Sequence, residues 1–553
     1  MRAAPPPWPR APSMSTTPRP TALAWWALAL AVAVLATAHA WITVVRPGVE
    51  RFTFDSAEYA VAGRAWLETG RLQTLFIYPA MLGGVPGPPF PLLAGHPLVP
   101  ALDALVFAIA GPTPDATLVP SLLAFVACVL LVARLALALG GSSAAALGAA
   151  AAFAFSPWAL GLACEGRSEM PFAALLTAAI LLLWKQLETP RPLALGVVLG
   201  FAHLARPVVV PLLPAFALGV WLLTPPGRRA RSCLLVLAGF LPLAALTALY
   251  RWAAAGSPFA GSGSYLLLAG VSPEWAMSRI NRMTPPPDAL AWIVARPVPF
   301  AGKVARGVVT VVSGAFARAP LTGAFAVLAA SLALVRGSAA RGFVLSLAAM
   351  AALLVLFTAA TVASSRMLFP LLPAGVSLAF AGIAWLTEMK PRLRRPVLAI
   401  VAALAVLGGG VPLARYWHAL RFGAPDTSAP ATPPLPAEPL VALRAAEWRD
   451  LFAAVAPLLP REGLVASDVA PWIAWHMRRP TTIVPLEPSA LLTGPRRLAP
   501  EAVVLTNEDL ILLPLEGDWR RIFQSGEPPT GYRLAGRVHA GRLEAVVFTR
   551  DVR

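Results

Sequence analysis

Apolar residues along this chain gather in blocks of about the 20 residues that a helix needs to cross a hydrocarbon core of about 30 Å. The blocks predict spans at 22–44, 117–137, 141–160, 169–187, 193–207, 208–224, 232–252, 319–336, 342–362, 367–387 and 396–415. A shorter apolar stretch, 98–111, ends in Gly111-Pro112 and reads as an interfacial or half-inserted helix. Ala424 to Pro439 is rich in proline and small residues, the composition of a linker. Beyond it polar and apolar residues mix. Leu440–Leu459 is helix-like, and 463–468, 481–485 and 502–506 are short apolar runs. Tyr532–Val538 and Leu543–Thr549 pair as a hairpin around His539-Ala540-Gly541-Arg542. The fold class expected is an all-α polytopic membrane protein of about eleven transmembrane helices with a small C-terminal α/β domain. Its boundaries fall at 1–21 (cytoplasmic tail), 22–418 (transmembrane domain, with outer loop 45–116), 419–440 (linker) and 441–553 (extracytoplasmic domain).

Charge gives the orientation. With the N-terminus inside, the inner segments hold Arg2, Arg10 and Arg19, then Lys185 and Arg191, then Arg228, Arg229 and Arg231, then Arg336 and Arg341, then Lys390, Arg392, Arg394 and Arg395. That is the positive-inside pattern. The outer side then receives 45–116, 161–168, 253–318 and everything after about 416. Ala38-His39-Ala40 resembles a signal peptidase site, but the apolar block before it is longer than a signal core and reads as a retained helix.

Composition agrees: 58% of residues are hydrophobic and 13% charged, against roughly 45–50% and about 25% in soluble domains. The net charge of +18 would point to nucleic acid in a soluble protein. Here most basic residues punctuate apolar blocks, so topology and anionic lipid account for them. Cys128, Cys164 and Cys233 form no Cys-x-x-Cys or Cys/His cluster, so neither a disulfide framework nor a zinc site is indicated.

The first outer loop contains Asp55-Ser56-Ala57-Glu58-Tyr59. Asp55 and Glu58 have the spacing of a capping box for a helix starting near Ser56. Their functional reading is a carboxylate at the membrane surface able to take a proton from a hydroxyl. His96, in Gly95-His96-Pro97-Leu98, is either structural or a contact for an anionic head group. Glu169 opens an apolar helix, where an acid also complements the helix dipole. Arg206 lies between two apolar half-runs, and Arg366 lies at another outer helix start. Both stand on the side where the positive-inside rule expects few cations. Guanidinium groups there either snorkel to the interface or bind phosphate in bidentate fashion. Together these residues suit an anionic, membrane-dissolved substrate attacked by a hydroxyl.

The order of these motifs resembles the GT-C-fold glycosyltransferases that use lipid-linked sugars. It is most similar to the bacterial branch related to protein O-mannosyltransferases and aminoarabinose–lipid A transferases. The motifs are Asp-x-x-Glu-Tyr in the first loop, His-Pro-Leu, Ser168-Glu169-Met170-Pro171-Phe172, Arg206-Pro207 and Arg366 ahead of Pro370 and Pro373, followed by an outer domain. Ala466-Ser467-Asp468 with Trp472, Trp475 and Arg479 resembles the outer domain of such proteins. The resemblance implies inverting transfer of a monosaccharide from a polyprenyl phosphate to a hydroxyl on a protein, lipid or envelope glycan, at the outer face of the bacterial cytoplasmic membrane. It implies catalytic roles for Asp55, Glu58 and Glu169, with Asp55 as the base, and substrate binding by Tyr59, His96, Arg206 and Arg366. No cofactor is fixed by it, and a divalent cation at Asp55, Glu58 and Glu169 stays open. The competing readings are an oligosaccharide ligase or polymerase, a lipid-linked sugar transporter, and a membrane scaffold. Transporters favour ionisable residues at the midplane, whereas these acids stand at helix ends.

Overall fold

The structure is a computed structural model. It describes residues 22–44, 52–93, 96–140, 142–261, 263–272, 288–319, 323, 326, 329–330, 338–389, 392, 445–492, 499–507 and 518–551. The helices of its first half are α1 (Ala22–Val44), α2 (Phe54–Thr69), α3 (Leu98–Ala110), α4 (Leu118–Ala138), α5 (Ser143–Ala154), α6 (Pro157–Ala163), α7 (Glu169–Trp184), α8 (Pro192–Ala205), α9 (Leu213–Leu223) and α10 (Arg229–Ala255). They are followed by α11 (Gly263–Leu268), α12 (Ala289–Ala295), α13 (Pro297–Arg318), α14 (Ser338–Ala360) and α15 (Leu372–Met389). Beyond residue 444 come α16 (Ala445–Val455), α17 (Ala470–Met477) and α18 (Asp518–Ser525).

Among the described residues six helices are long and apolar enough to cross a membrane, or seven if the pair α5 and α6, bent by 59°, is one span. The chain is thus a multi-pass membrane protein, but the expected eleven spans are not reached among the described residues. Two of them, 319–336 and 396–415, lie almost wholly outside those residues. The expected span 141–160 is the bent pair, broken where Pro157 cannot continue α5. The pair 193–207 and 208–224 appears as two shorter apolar helices, Pro192–Ala205 and Pro207–Leu223.

The segment 253–318, read from the sequence as outer loop, carries α13. Pro297–Arg318 is one continuous helix long and apolar enough to span. Its contacts are with the end of the bundle that carries α2. Gly307 faces Ala359 and Gly314 faces Ser365, and Arg318 stacks on the Trp158 ring at 5.6 Å.

At that same end lies a six-stranded sheet. Its strands are β2 (Phe76–Ile77), β4 (Val465–Ser467), β5 (Thr481–Ile483), β6 (Ala502–Thr506), β7 (Tyr532–Ala540) and β8 (Leu543–Arg550). The order is β2-β5-β4-β6-β8-β7. The β2, β5, β4 and β6 strands run parallel, with Phe76 opposite Thr481 and Val465 opposite Ala502. The β7–β8 hairpin closes the sheet antiparallel against β6. The remaining strands, β1 (Gln73–Thr74) and β3 (Phe90–Pro91), form a separate antiparallel pair. The sheet is therefore not built by residues after 441 alone: its edge strand β2 comes from the first loop.

The helix α2 lies between this sheet layer and the bundle. Phe52, Phe54, Ala57, Ala60 and Val61 share one core with Trp472, Trp475 and Trp448. The Arg64 guanidinium donates to Trp475 O at 2.7 Å and Ala474 O at 2.9 Å, and lies 4.5 Å from the centre of the Trp475 ring. It thereby caps carbonyls near the end of α17. On the opposite side Gly63 brings α2 against α3, where a Cβ would meet Asp103 Cβ at 2.8 Å and Pro100 O at 3.0 Å.

Candidate functional site

The N-terminus of α2 differs from the sequence expectation in a way that matters for Asp55. The helix begins at Phe54, and its cap is Thr53. The Thr53 hydroxyl accepts from Ser56 N at 3.2 Å, and Ser56 Oγ accepts from Thr53 N at 2.8 Å. That reciprocal pair is the capping box, so Asp55 and Glu58 are not the capping residues. Starting the helix two residues earlier places Asp55 in its first turn, with its side chain directed to other elements.

Asp55 Oδ2 is 3.3 Å from Arg366 Nη2 and 4.0 Å from Arg167 Nε. Arg366 Nε in turn lies 3.0 Å from Glu169 Oε1, and Arg206 Nη1 lies 2.9 Å from the same oxygen. Arg167 Nε also pairs with Glu165 Oε2 at 3.1 Å and donates to Thr53 Oγ1 at 3.0 Å. Three carboxylates and three guanidiniums thus form one chain of contacts, with Arg366 bridging Asp55 and Glu169. The two acids differ in access: the Asp55 side chain is 36% exposed and that of Glu169 is 1% exposed.

Local sequence explains how the cations arrive. Arg206 precedes Pro207, and a residue before proline is disfavoured in the helical region. Its backbone is extended (φ −157°, ψ 128°), which ends α8 and starts a 3₁₀ segment, Pro207–Leu212. Arg366 lies in a second 3₁₀ segment, Ser365–Leu371. Both segments run into a helix through the same five residues, Pro-Leu-Leu-Pro-Ala, at 211–215 and 370–374. Two similar breaks in the bundle therefore present two guanidiniums to one buried carboxylate at the start of α7. Gly166 (φ 61°) lets the turn carrying Arg167 approach α2 and α4; a Cβ there would meet Thr117 O at 3.1 Å.

Of the other expected residues, Tyr59 joins the cluster, its hydroxyl donating to Ser168 Oγ at 3.3 Å. His96 is held neutral at physiological pH. Burial and the neighbouring charges of Arg206 and Arg251 lower its pKa to about 3. Glu58 turns to Tyr78, whose hydroxyl donates to Glu58 Oε2 at 3.4 Å, rather than into the chain of ion pairs. Burial, then the charge of Asp55, raise its pKa to about 8. Glu165 is pushed up to about 7 by burial, against the pull of Arg167.

Four residues of the site had no assigned role from the sequence: Arg167, Arg251, Tyr78 and Arg318. Arg251 lies one turn before the end of α10, within electrostatic reach of His96 and His203, and no carboxylate partners it among the described residues. The signal for the three arginines was available, since under the orientation expected from the sequence Arg167, Arg251 and Arg318 all fall on the side where the positive-inside rule expects few cations. Among the described residues no group of three or more His, Cys, Asp or Glu is arranged to hold a metal ion. Chemically the arrangement offers an accessible carboxylate, Asp55, and an arginine without a carboxylate partner among the described residues, Arg251, that can receive an anion.

Comparison with known proteins defines the fold. The family described as dolichyl-phosphate-mannose-protein mannosyltransferase matches residues 91–252, the stretch that contains His96, Glu169, Arg206 and Arg251. The oligosaccharyltransferase AglB of Archaeoglobus fulgidus, solved with an inhibitory peptide and a dolichol-phosphate, is 12% identical with a TM-score of 0.55. That match covers 87% of this chain and 69% of AglB. ArnT of Cupriavidus metallidurans, solved bound to undecaprenyl phosphate, is 13% identical with a TM-score of 0.51 and is covered over 98% of its length by 95% of this chain. No curated protein matches the sequence. The chain has the GT-C fold, the architecture on which that superfamily of membrane glycosyltransferases is built.

Proposed function

We propose that the protein is an inverting glycosyltransferase that moves a monosaccharide from a polyprenyl phosphate to a hydroxyl acceptor, at the outer face of the cytoplasmic membrane. The observation that carries this reading is the difference between the two bridged acids. Asp55 is accessible, and its Oδ1 has no hydrogen-bonding partner among the described residues, whereas Glu169 is sealed beneath Arg206 and Arg366. Asp55 is thus the group that an incoming hydroxyl can meet.

In the reaction the acceptor oxygen attacks the anomeric carbon while Asp55 takes the hydroxyl proton. The bond between the anomeric carbon and the phosphate oxygen breaks, and its electron pair leaves on the phosphate. The departing phosphate needs cations rather than a proton. Arg206 and Arg366 commit charge to Glu169, so the phosphate falls to Arg251, with His96 and His203 beside it as hydrogen-bonding groups. This revises the assignment drawn from the resemblance, in which Arg206 and Arg366 held the phosphate. The match over nearly the whole length of ArnT, solved with undecaprenyl phosphate, supports a polyprenyl phosphate carrier.

The test is release of free polyprenyl phosphate from purified protein given a pool of polyprenyl-phosphate monosaccharides. Release that requires Asp55 and added acceptor supports the reading. No release from folded protein with any such donor overturns it.

A further inference from the structure

We infer that Arg366 is the resident cation of this site, filling the place between Asp55 and Glu169 that a divalent ion would otherwise occupy, so that transfer needs no added metal. The inference rests on the glycosyltransferase reading of the same site and concerns how its two acids are held.

Two observations carry it. The first is occupancy. Two different nitrogens of one guanidinium engage two different carboxylates, Nη2 on Asp55 at 3.3 Å and Nε on Glu169 at 3.0 Å. A hard divalent cation bound there would lie against that guanidinium and find only Asp55 Oδ1 and Glu169 Oε2 unengaged on these two acids, where six or more oxygen ligands are usual. The second is charge. Asp55, Glu165 and Glu169 are each already paired with an arginine. A divalent ion would enter a cluster whose carboxylates are compensated, within Coulomb range of three guanidiniums. The donor set therefore does not fit a divalent cation.

Arg366 is suited to the task because its group is planar, forked and permanently charged. Its segment is also fixed from behind. Ser365 packs on Gly314 of α13, where even a Cβ would come within 2.8 Å of the serine oxygen. Arg366 is thus a positioning residue. It holds Asp55 at a set distance from the buried Glu169 without itself meeting the sugar.

The experiment has two readouts on the full-length protein in detergent. Donor turnover by the wild type is measured with excess EDTA and with added Mg2+ or Mn2+, and Mn2+ binding is measured by titration calorimetry on wild type and Asp55→Asn. Turnover unchanged by EDTA, and no Mn2+ binding that depends on Asp55, are the expected results. Arg366→Ala is expected to lose on the order of 100-fold in turnover, with partial recovery on adding methylguanidinium, which a merely structural defect would not show. Loss of wild-type turnover in EDTA with restoration by Mg2+ or Mn2+ overturns the inference, as does Asp55-dependent Mn2+ binding or an Arg366→Ala protein of full activity. The calorimetric arm stands whether or not a donor is found, so failure of this inference is separable from failure of the functional reading.

Discussion

Arg206 and Glu169 meet at 2.9 Å across the contact between α8 and α7, and the carboxylate, also held by Arg366, is 1% exposed. Removing one member of a buried ion pair leaves the others uncompensated, at a cost of about 3–5 kcal/mol. Glu169→Gln is therefore expected to lose stability at the lower end of that range and to lose activity with it. Denaturant unfolding of the purified protein measures the first. Combining it with Arg206→Met should recover part of the stability and none of the turnover.

Asp55→Asn should behave differently. The side chain is partly exposed and does not cap its helix. The unfolding midpoint should stay close to wild type while donor turnover falls by about 10²–10⁴-fold, the scale of a lost general base. A variant that keeps its turnover would move the base to another acid.

Glu58 gives a pH prediction. Its pKa is raised from 4.5 to about 8, by burial first and by the Asp55 charge second. In the unfolded chain it ionises at the ordinary value, so the stability from burying the neutral acid is complete below that value. It is lost as pH rises through about 8. Glu58→Gln keeps the neutral form at every pH. The variant should retain activity at neutral pH and lack the wild type's decline in stability between pH 5 and 8. Identical pH slopes for the two proteins would remove Glu58 as the source.

Arg64 joins α2 to α17 through two carbonyl hydrogen bonds and a tryptophan ring. Charged hydrogen bonds contribute about 1.5–3 kcal/mol, so Arg64→Ala should destabilise by that order. Limited proteolysis should then show faster cleavage in the six-stranded sheet than in the bundle. Unchanged proteolysis would mean that the aromatic contacts of α2 hold the two layers together without it.

The sequence carried the membrane class because periods of apolar residues and the charges between them are set by the bilayer itself. Asp55, Glu169, Arg206 and Arg366, picked out as charges at helix ends, stand together in the structure. How they pair was not readable: that two guanidiniums converge on Glu169 depends on 3₁₀ breaks whose geometry the Pro-Leu-Leu-Pro-Ala segments hint at and do not specify. The cap was misread for a local reason, since Thr53 with Ser56 and Asp55 with Glu58 both fit the same spacing rule. The α13 helix was missed because Lys303 and Arg306 interrupt a segment that is otherwise apolar enough. The role of β2 was beyond reach, as two residues of edge strand leave no periodic signal.

That edge strand has a consequence for how the protein is made. Thr481 N donates to Leu75 O across 406 positions of chain, and Arg64 reaches Trp475 across 411. The loop that carries Asp55 leaves the ribosome early, yet the strand and helix that complete its surroundings are synthesised only after every described span of the bundle. Contacts of such sequence separation form late. The loop must therefore wait, unfinished, on the surface of an assembled bundle, and a chain interrupted before residue 465 would hold its acids in a helix with one side uncovered. Assembly order thereby makes competence a property of the finished chain.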